Sequence, residues 1–143
     1  SVDYSPKANE KAEAIKKAGE EYKDLGVGIK YLSSDLINEG IPSEIESSKS
    51  QLFECTGFWE YLNPDDRKKF LDRMSEAMKD SDTFVLTALV DNPQQALFDK
   101  MGFKQLHPQE TEEFIKQIEE AGLHVKEVYL TPNKAYATAI VSR

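Results

Sequence analysis

Runs with the two-residue period of a strand alternate along this chain with runs of helical period. The alternation ends in two strand-like runs joined by Thr131-Pro132-Asn133-Lys134. A link this short cannot make a parallel crossover and suits an antiparallel hairpin. Before it, each strand-like run is followed by enough chain for a crossover helix. The expected fold is therefore α/β and doubly wound: a mostly parallel sheet with helices on both faces and a C-terminal antiparallel hairpin that supplies one reversed strand.

Ser1-Val2-Asp3-Tyr4 reads as the tail of a strand, and Ser5-Pro6 as a helix start, with serine as cap and proline in the first turn. Ala8, Ala12, Ile15 and Tyr22 follow at near-helical spacing, and the helix fades near Asp24, before Gly26. Residues 28–33 alternate as a second strand that ends at Ser34-Asp35. Residues 38–50 are polar and read as loop with a short helix at 43–46. Residues 51–56 form a buried strand, followed by Gly57. Asn63-Pro64-Asp65-Asp66 starts a helix whose apolar face carries Phe70, Leu71, Met74, Ala77 and Met78. Residues 83–89 are the strongest strand pattern in the chain. A connector at 90–107 is helical over 95–100, and a further helix spans 109–121, with Gly122 as its stop. The hairpin strands are 124–130 and 135–141.

Composition narrows the function classes. The 143 residues suit one domain, and 39% hydrophobic with 31% charged residues is the balance of a globular chain. No apolar run approaches the roughly 20 residues of a membrane span, and no basic-then-apolar leader is present at the N-terminus, so no membrane partner is expected. Cys55 is the single cysteine, which excludes an internal disulfide and a cysteine-rich zinc module and fits a reducing, cytoplasmic setting. The net charge is −8. Lys7, Lys11, Lys16 and Lys17 are interleaved with Glu10, Glu13, Glu20 and Glu21, the pattern of a solvated helix rather than of a phosphate track. No nucleic-acid partner is expected, whereas small molecules or proteins are. His107 and His124 are isolated, so no metal site is expected. Neither a nucleophile elbow nor a phosphate-binding glycine loop occurs.

In such a sheet ligands bind beyond the carboxyl ends of the parallel strands, so the residues closing each strand are the ones to weigh. Asp3, with Tyr4 beside it, closes the first; a carboxylate there can accept both hydroxyls of a ribose. Asp35 closes the second and can accept an exocyclic amine, while Leu36 packs on a purine. Cys55-Thr56-Gly57 closes the third, where small residues let a ligand reach the backbone. Against this stands the plainer reading of each aspartate as a helix cap or turn former. Cys55 reads as a core thiol rather than a nucleophile. Phe58, Trp59 and Tyr61 fit two roles equally, an aromatic wall over cofactor or substrate and packing on the next helix.

Taken in order, these segments resemble the class I S-adenosylmethionine-dependent methyltransferases over essentially the whole chain. Residues 2–8 resemble the family's second strand and following helix start, with Asp3 at the position of the acid that holds the adenosine ribose. Residues 31–36 resemble the third strand, with Asp35 at the adenine contact. Residues 52–62 resemble the fourth strand and the loop beside the methyl donor, and Ala121-Gly122-Leu123 the junction to the sixth strand. The resemblance implies S-adenosylmethionine as cofactor. It assigns Asp3, Tyr4, Asp35, Leu36, Cys55, Thr56 and Gly57 to the cofactor, and Trp59 and Tyr61 to a small-molecule or protein acceptor. No residue is singled out as catalytic. The connector at 90–107 is expected to act as a substrate lid.

Two departures accompany it. Asp80-Ser81-Asp82 stands where the family has a Pro-Gly-Gly-type turn. The family's central first strand and its Gly-x-Gly-x-Gly loop have no counterpart, so the sequence reads as a truncated, C-terminal portion of the fold. These residues alone are expected to bind the cofactor weakly or not at all. Unpaired strand edges near Val2 and Leu52 are expected to seek a homodimer or a strand-complementing partner, or else to pair with each other. The rival reading is a non-catalytic methyltransferase-like remnant or protein-interaction module.

Overall fold

The structure is a computed structural model, and it describes residues 8–21, 34–42, 45, 51–90, 95–102 and 106–143. The chain divides into two units, Ser1–Ile45 and Glu46–Arg143.

In the first unit α1 spans Ala8–Glu21. Ile15 and Ala18 are half-buried, while Glu13, Lys16, Lys17 and Glu20 are exposed, so these four charges are solvated. A turn at 34–42 follows, closed by buried Gly40 at φ +80°; the amides of Glu39 and Gly40 both donate to the Asp35 carbonyl. Ile45 donates its amide to the Pro42 carbonyl at 2.9 Å, and the other residues of the expected short helix at 43–46 lie outside the described residues. The expected strands at 1–4 and 28–33 and the Ser5-Pro6 helix start lie outside the described residues.

The second unit contains β1 (Leu52–Cys55), a 3-10 turn (Trp59–Tyr61), α2 (Pro64–Ala77), β2 (Thr83–Leu89), α3 (Gln95–Lys100), α4 (Thr111–Glu120), β3 (His124–Leu130) and β4 (Tyr136–Ser142). The four strands form one sheet in the order β1-β2-β4-β3. β1 and β2 are parallel, and β4 is antiparallel to both of its neighbours. The terminal hairpin is thus folded back so that β4, the one reversed strand, lies between β2 and β3. Composition explains which hairpin strand goes inside. Ala137, Ala139 and Val141 of β4 are fully buried, whereas β3 exposes His124, Lys126, Glu127 and Tyr129, as an edge strand with charged side chains does. A bulge between Val125 and Glu127 further bends that edge.

Register sorts the side chains into two faces. Phe84, Leu86 and Ala88 lie opposite Val141, Ala139 and Ala137, all buried. Val85 and Thr87 lie opposite Ile140 and Thr138, all half-buried, and the two threonine hydroxyls stand 3.2 Å apart. The buried face is covered by α2, which turns Arg67, Phe70, Leu71 and Met74 inward at helical spacing, and by α4 through Phe114 and Ile118. Phe70 meets Phe84 edge-on at 6.2 Å. α2 and α4 therefore share one face. The reason is topological: both crossovers move across the sheet in the same direction, and right-handed connections then leave their helices on the same side.

Local signals set the element ends. Asn63 caps α2, its side chain accepting from the Asp66 amide at 3.0 Å, with Pro64 in the first turn. Asp82, buried, accepts from the Gln51 amide at 2.9 Å and the Lys79 amide at 2.8 Å, so the polar turn before β2 also anchors the start of β1. Gly122 ends α4 at φ +77°. α4 begins two residues later than its sequence pattern predicts, because Gln109 instead bridges Val90 beyond the end of β2.

Candidate functional site

The carboxyl ends of β1 and β2 carry the densest chemistry of the second unit. β1 ends at Cys55, and Thr56 and Gly57 turn away from it, both exposed. Gly57 has φ +68°, a conformation side chains disfavour, and no atom lies within 4 Å of where a Cβ would stand. The turn is thus an open stretch of backbone. Cys55 is half-buried, and burial, with the nearby Glu60 carboxylate, pushes its thiol up to about 12. It remains a protonated thiol, although the strand is not the buried one its sequence predicts: Leu52 and Glu54 are exposed and Phe53 is half-buried.

The aromatic segment resolves into separate roles. Trp59 is 0% exposed: its ring lies 5.8 Å from Phe114 and 6.4 Å from Phe70, and the Arg67 guanidinium stacks over it at 5.2 Å. Of the two roles its sequence allows, the enclosed ring takes packing on the next helix. Phe58 also packs, edge-on to Phe70 at 5.5 Å. Tyr61 is 50% exposed and keeps a surface for a ligand.

Beneath them lies a polar cluster that the sequence reading did not single out. Arg67 is buried, and burial lowers its pKa, with Glu60 partly offsetting the effect. Its guanidinium donates to the Trp59 carbonyl at 3.4 Å, to Gln109 Oε1 and to the His107 carbonyl. The His107 amide in turn donates to the Glu60 carbonyl at 2.7 Å, and the Gln109 amide to the Leu89 carbonyl at 3.3 Å. One side chain of α2 thus ties the turn after β1 to the segment before α4, and through Gln109 to the end of β2. Glu60 is 5% exposed, and its Oε2 has no hydrogen-bond partner; Trp59 Nε1 and Gln109 Nε2 are likewise buried and unpartnered. The available signals were an arginine three residues before Phe70 on the apolar stripe of α2, and an acid set between two aromatics.

Tyr136 opens β4 opposite Leu89, the last residue of β2. Its hydroxyl is raised by burial first, then by Glu60 and Tyr61, which places it in the same neighbourhood.

Asp35 and Leu36 belong to the first unit. Asp35 Oδ1 accepts from the amides of Ile37 at 3.1 Å and Asn38 at 3.2 Å, and Oδ2 from Asn38 Nδ2 at 2.7 Å. These bonds, led by the Asn38 side chain, hold its carboxyl below the usual carboxylate range. Asp35 is thus a turn former, whatever else it binds. Leu36 is half-buried. Asp3 and Tyr4 lie outside the described residues. Among the described residues no cluster of His, Cys, Asp and Glu could hold a metal ion, and no helix is long and apolar enough to cross a membrane.

No protein-family profile matches the chain, and no curated protein matches it by sequence. Solved structures do. OxaC superposes over 99% of this chain with a TM-score of 0.72 at 14% identity, and this chain spans 34% of OxaC. OxaC has also been crystallised with sinefungin and meleagrin. The mitomycin 7-O-methyltransferase MmcR superposes over 99% at a TM-score of 0.67 and 16% identity, with 40% of its own length covered. Magnesium protoporphyrin IX methyltransferase (ChlM) from Synechocystis PCC 6803, with bound SAH, superposes over 90% at 0.63 and 10% identity, with 59% of its length covered. The chain therefore spans about a third of the first of these proteins, and what it shares with them is a fold, that of the class I S-adenosylmethionine-dependent methyltransferases.

Proposed function

We propose that this chain is part of an S-adenosylmethionine-dependent methyltransferase that acts on a small-molecule acceptor. The observation that carries the reading is the sheet order β1-β2-β4-β3 with β4 reversed, together with an open glycine turn at the carboxyl end of β1. Gly57 fits an approaching ligand, since its backbone is exposed and unobstructed. Asp35 fits too: three donors occupy its two oxygens, and a carboxylate offers about four lone-pair sites. In this reading Asp3 and Tyr4 hold the ribose, Asp35 and Leu36 the adenine, and Cys55, Thr56 and Gly57 the portion nearest the methyl group. The cofactor, when bound, supplies an electrophilic sulfonium methyl. The chain's own work is positioning and exclusion of water. Tyr61 offers the acceptor an aromatic surface, and the connector around α3, which exposes Leu97 and Met101, serves as its lid.

The test is an NMR titration of the isotope-labelled chain with S-adenosylhomocysteine, a method that registers weak binding. Shifts concentrated at Asp35, Leu36 and Gly57 are expected, and Asp35→Ala should abolish those at Leu36. Binding whose shifts all fall away from these three residues would refute the reading. It would favour the rival, a non-catalytic module with this fold.

A further inference from the structure

Arg67 interrupts an apolar stripe that packs without it. Phe70, Leu71 and Met74 close the same face of α2 onto the sheet, and an apolar side chain at 67 would extend that packing with no guanidinium to desolvate. What the arginine adds lies in where its bonds end. Nε donates to the Trp59 carbonyl at 3.4 Å, Nη1 to Gln109 Oε1 and Nη2 to the His107 carbonyl. All three acceptors lie at the carboxyl edge of β1 and β2, the edge on which ligands sit in such sheets, and none lies in a strand.

The segments it joins have little else to fix their relative angle. Among the described residues their backbones meet through one hydrogen bond, from the His107 amide to the Glu60 carbonyl at 2.7 Å. One such bond sets a distance and leaves the segments free to pivot, whereas a planar guanidinium directs its bonds at fixed angles. Gln109 in turn bridges Val90 beyond β2, so the fork also ties the turn to the sheet. Trp59 is gripped twice, by its carbonyl and by its ring, which lies under the guanidinium at 5.2 Å. It stands midway between Gly57, whose backbone is open, and Tyr61, whose side chain is 50% exposed. Fixing Trp59 therefore fixes how those two residues face a ligand.

We infer that Arg67 is a positioning residue: it holds the turn at residues 57–61 and the segment at 107–109 as one body, in the arrangement that a ligand on Gly57 meets. The inference deepens the proposed function and rests on its assignment of Gly57 to the cofactor. Arg67 is itself 4% exposed, so it acts through the turn and not by contact.

Two measurements on Arg67→Lys and Gln109→Leu test it. The first variant keeps the charge and loses the planar fork; the second keeps the arginine and removes one acceptor. In the ligand-free chain, amide relaxation dispersion should show millisecond exchange at Gly57, Tyr61 and His107 in the variants and not in the parent, with β2 and β4 quiet in all three. In a titration with S-adenosylhomocysteine, the His107 and Gln109 amides of the parent should move in step with Gly57. In the folded variants binding should weaken about fivefold, and the two amides should no longer follow Gly57. An arginine that only braces the fold would, when replaced, lower the urea midpoint and leave exchange and affinity as in the parent; that result would overturn the inference. So would His107 and Gln109 staying silent in the parent while Gly57 moves, or still following it in both variants. Binding that avoids Asp35, Leu36 and Gly57 would sink the cofactor reading alone. The ligand-free exchange then decides for or against Arg67, as it does when no binding is seen. Should Arg67→Lys not fold, Gln109→Leu carries both measurements.

Discussion

Replacing Arg67 by methionine removes the cross-link of the candidate site while keeping most of the aliphatic stem. Three acceptors lose their donor: the carbonyls of Trp59 and His107, and Gln109 Oε1. A buried polar group left unpaired costs about 1–3 kcal/mol. Loss of the guanidinium stacked on Trp59 adds about 0.5–1 kcal/mol. Against these stands the desolvation of the guanidinium itself, the main cause of its lowered pKa, which the variant no longer bears. The expected net loss is about 3 kcal/mol, a large share of the roughly 5–15 kcal/mol that holds a domain together. With an m-value of about 1.5–2 kcal/mol/M, the urea midpoint should fall by about 1.5–2 M. Arg67→Lys keeps the charge but not the planar fork, and should recover less than half of the loss. Urea unfolding followed by Trp59 fluorescence is the assay, because the ring lies under the guanidinium. A loss below about 1 kcal/mol for Arg67→Met would refute the argument. It would mean that solvent or relaxation satisfies the three acceptors without the arginine.

Cys55, whose thiol stands at about 12, should react with a disulfide reagent at about pH 8 far more slowly than an ordinary thiol, and denaturant should restore the rate; fast native-state labelling would show that the strand end is open. Asp35 has its carboxyl lowered by the Asn38 side chain first and by backbone amides besides, so the stability it lends the turn is complete above the ordinary carboxylate range and is lost as pH falls through its own lower value. Asn38→Ala should move the Asp35 titration upward, read from its carboxyl resonance; an unmoved midpoint would give the amides the leading role.

What the sequence made legible follows from periodicity and caps. The alternation in Thr83–Leu89 and Tyr136–Ser142 directly encodes which face is buried, and Asn63-Pro64 encodes where α2 starts. The short link at residues 131–134 encodes the hairpin. It cannot encode on which side the hairpin folds back; that depends on comparing strands, since Ala137, Ala139 and Val141 can be enclosed on both edges whereas Lys126 and Glu127 cannot. The open turn at Gly57 was visible because a glycine after a strand has a local steric meaning. Trp59 was not resolved, because a large aromatic is equally suited to a wall and to a core, and only Phe70, Phe114 and Arg67 around it decide. Glu60 escaped notice for the complementary reason. Surface acids are common in a chain with 26 Asp and Glu, and nothing local marks the one whose carboxylate the fold encloses. Arg67 did leave a mark, as a charge on a helix stripe otherwise made of Phe70, Leu71 and Met74. Such a charge must find buried acceptors or unfold the turn that holds it, so a basic residue within an apolar stripe points to polar groups elsewhere in the chain that only the fold can name.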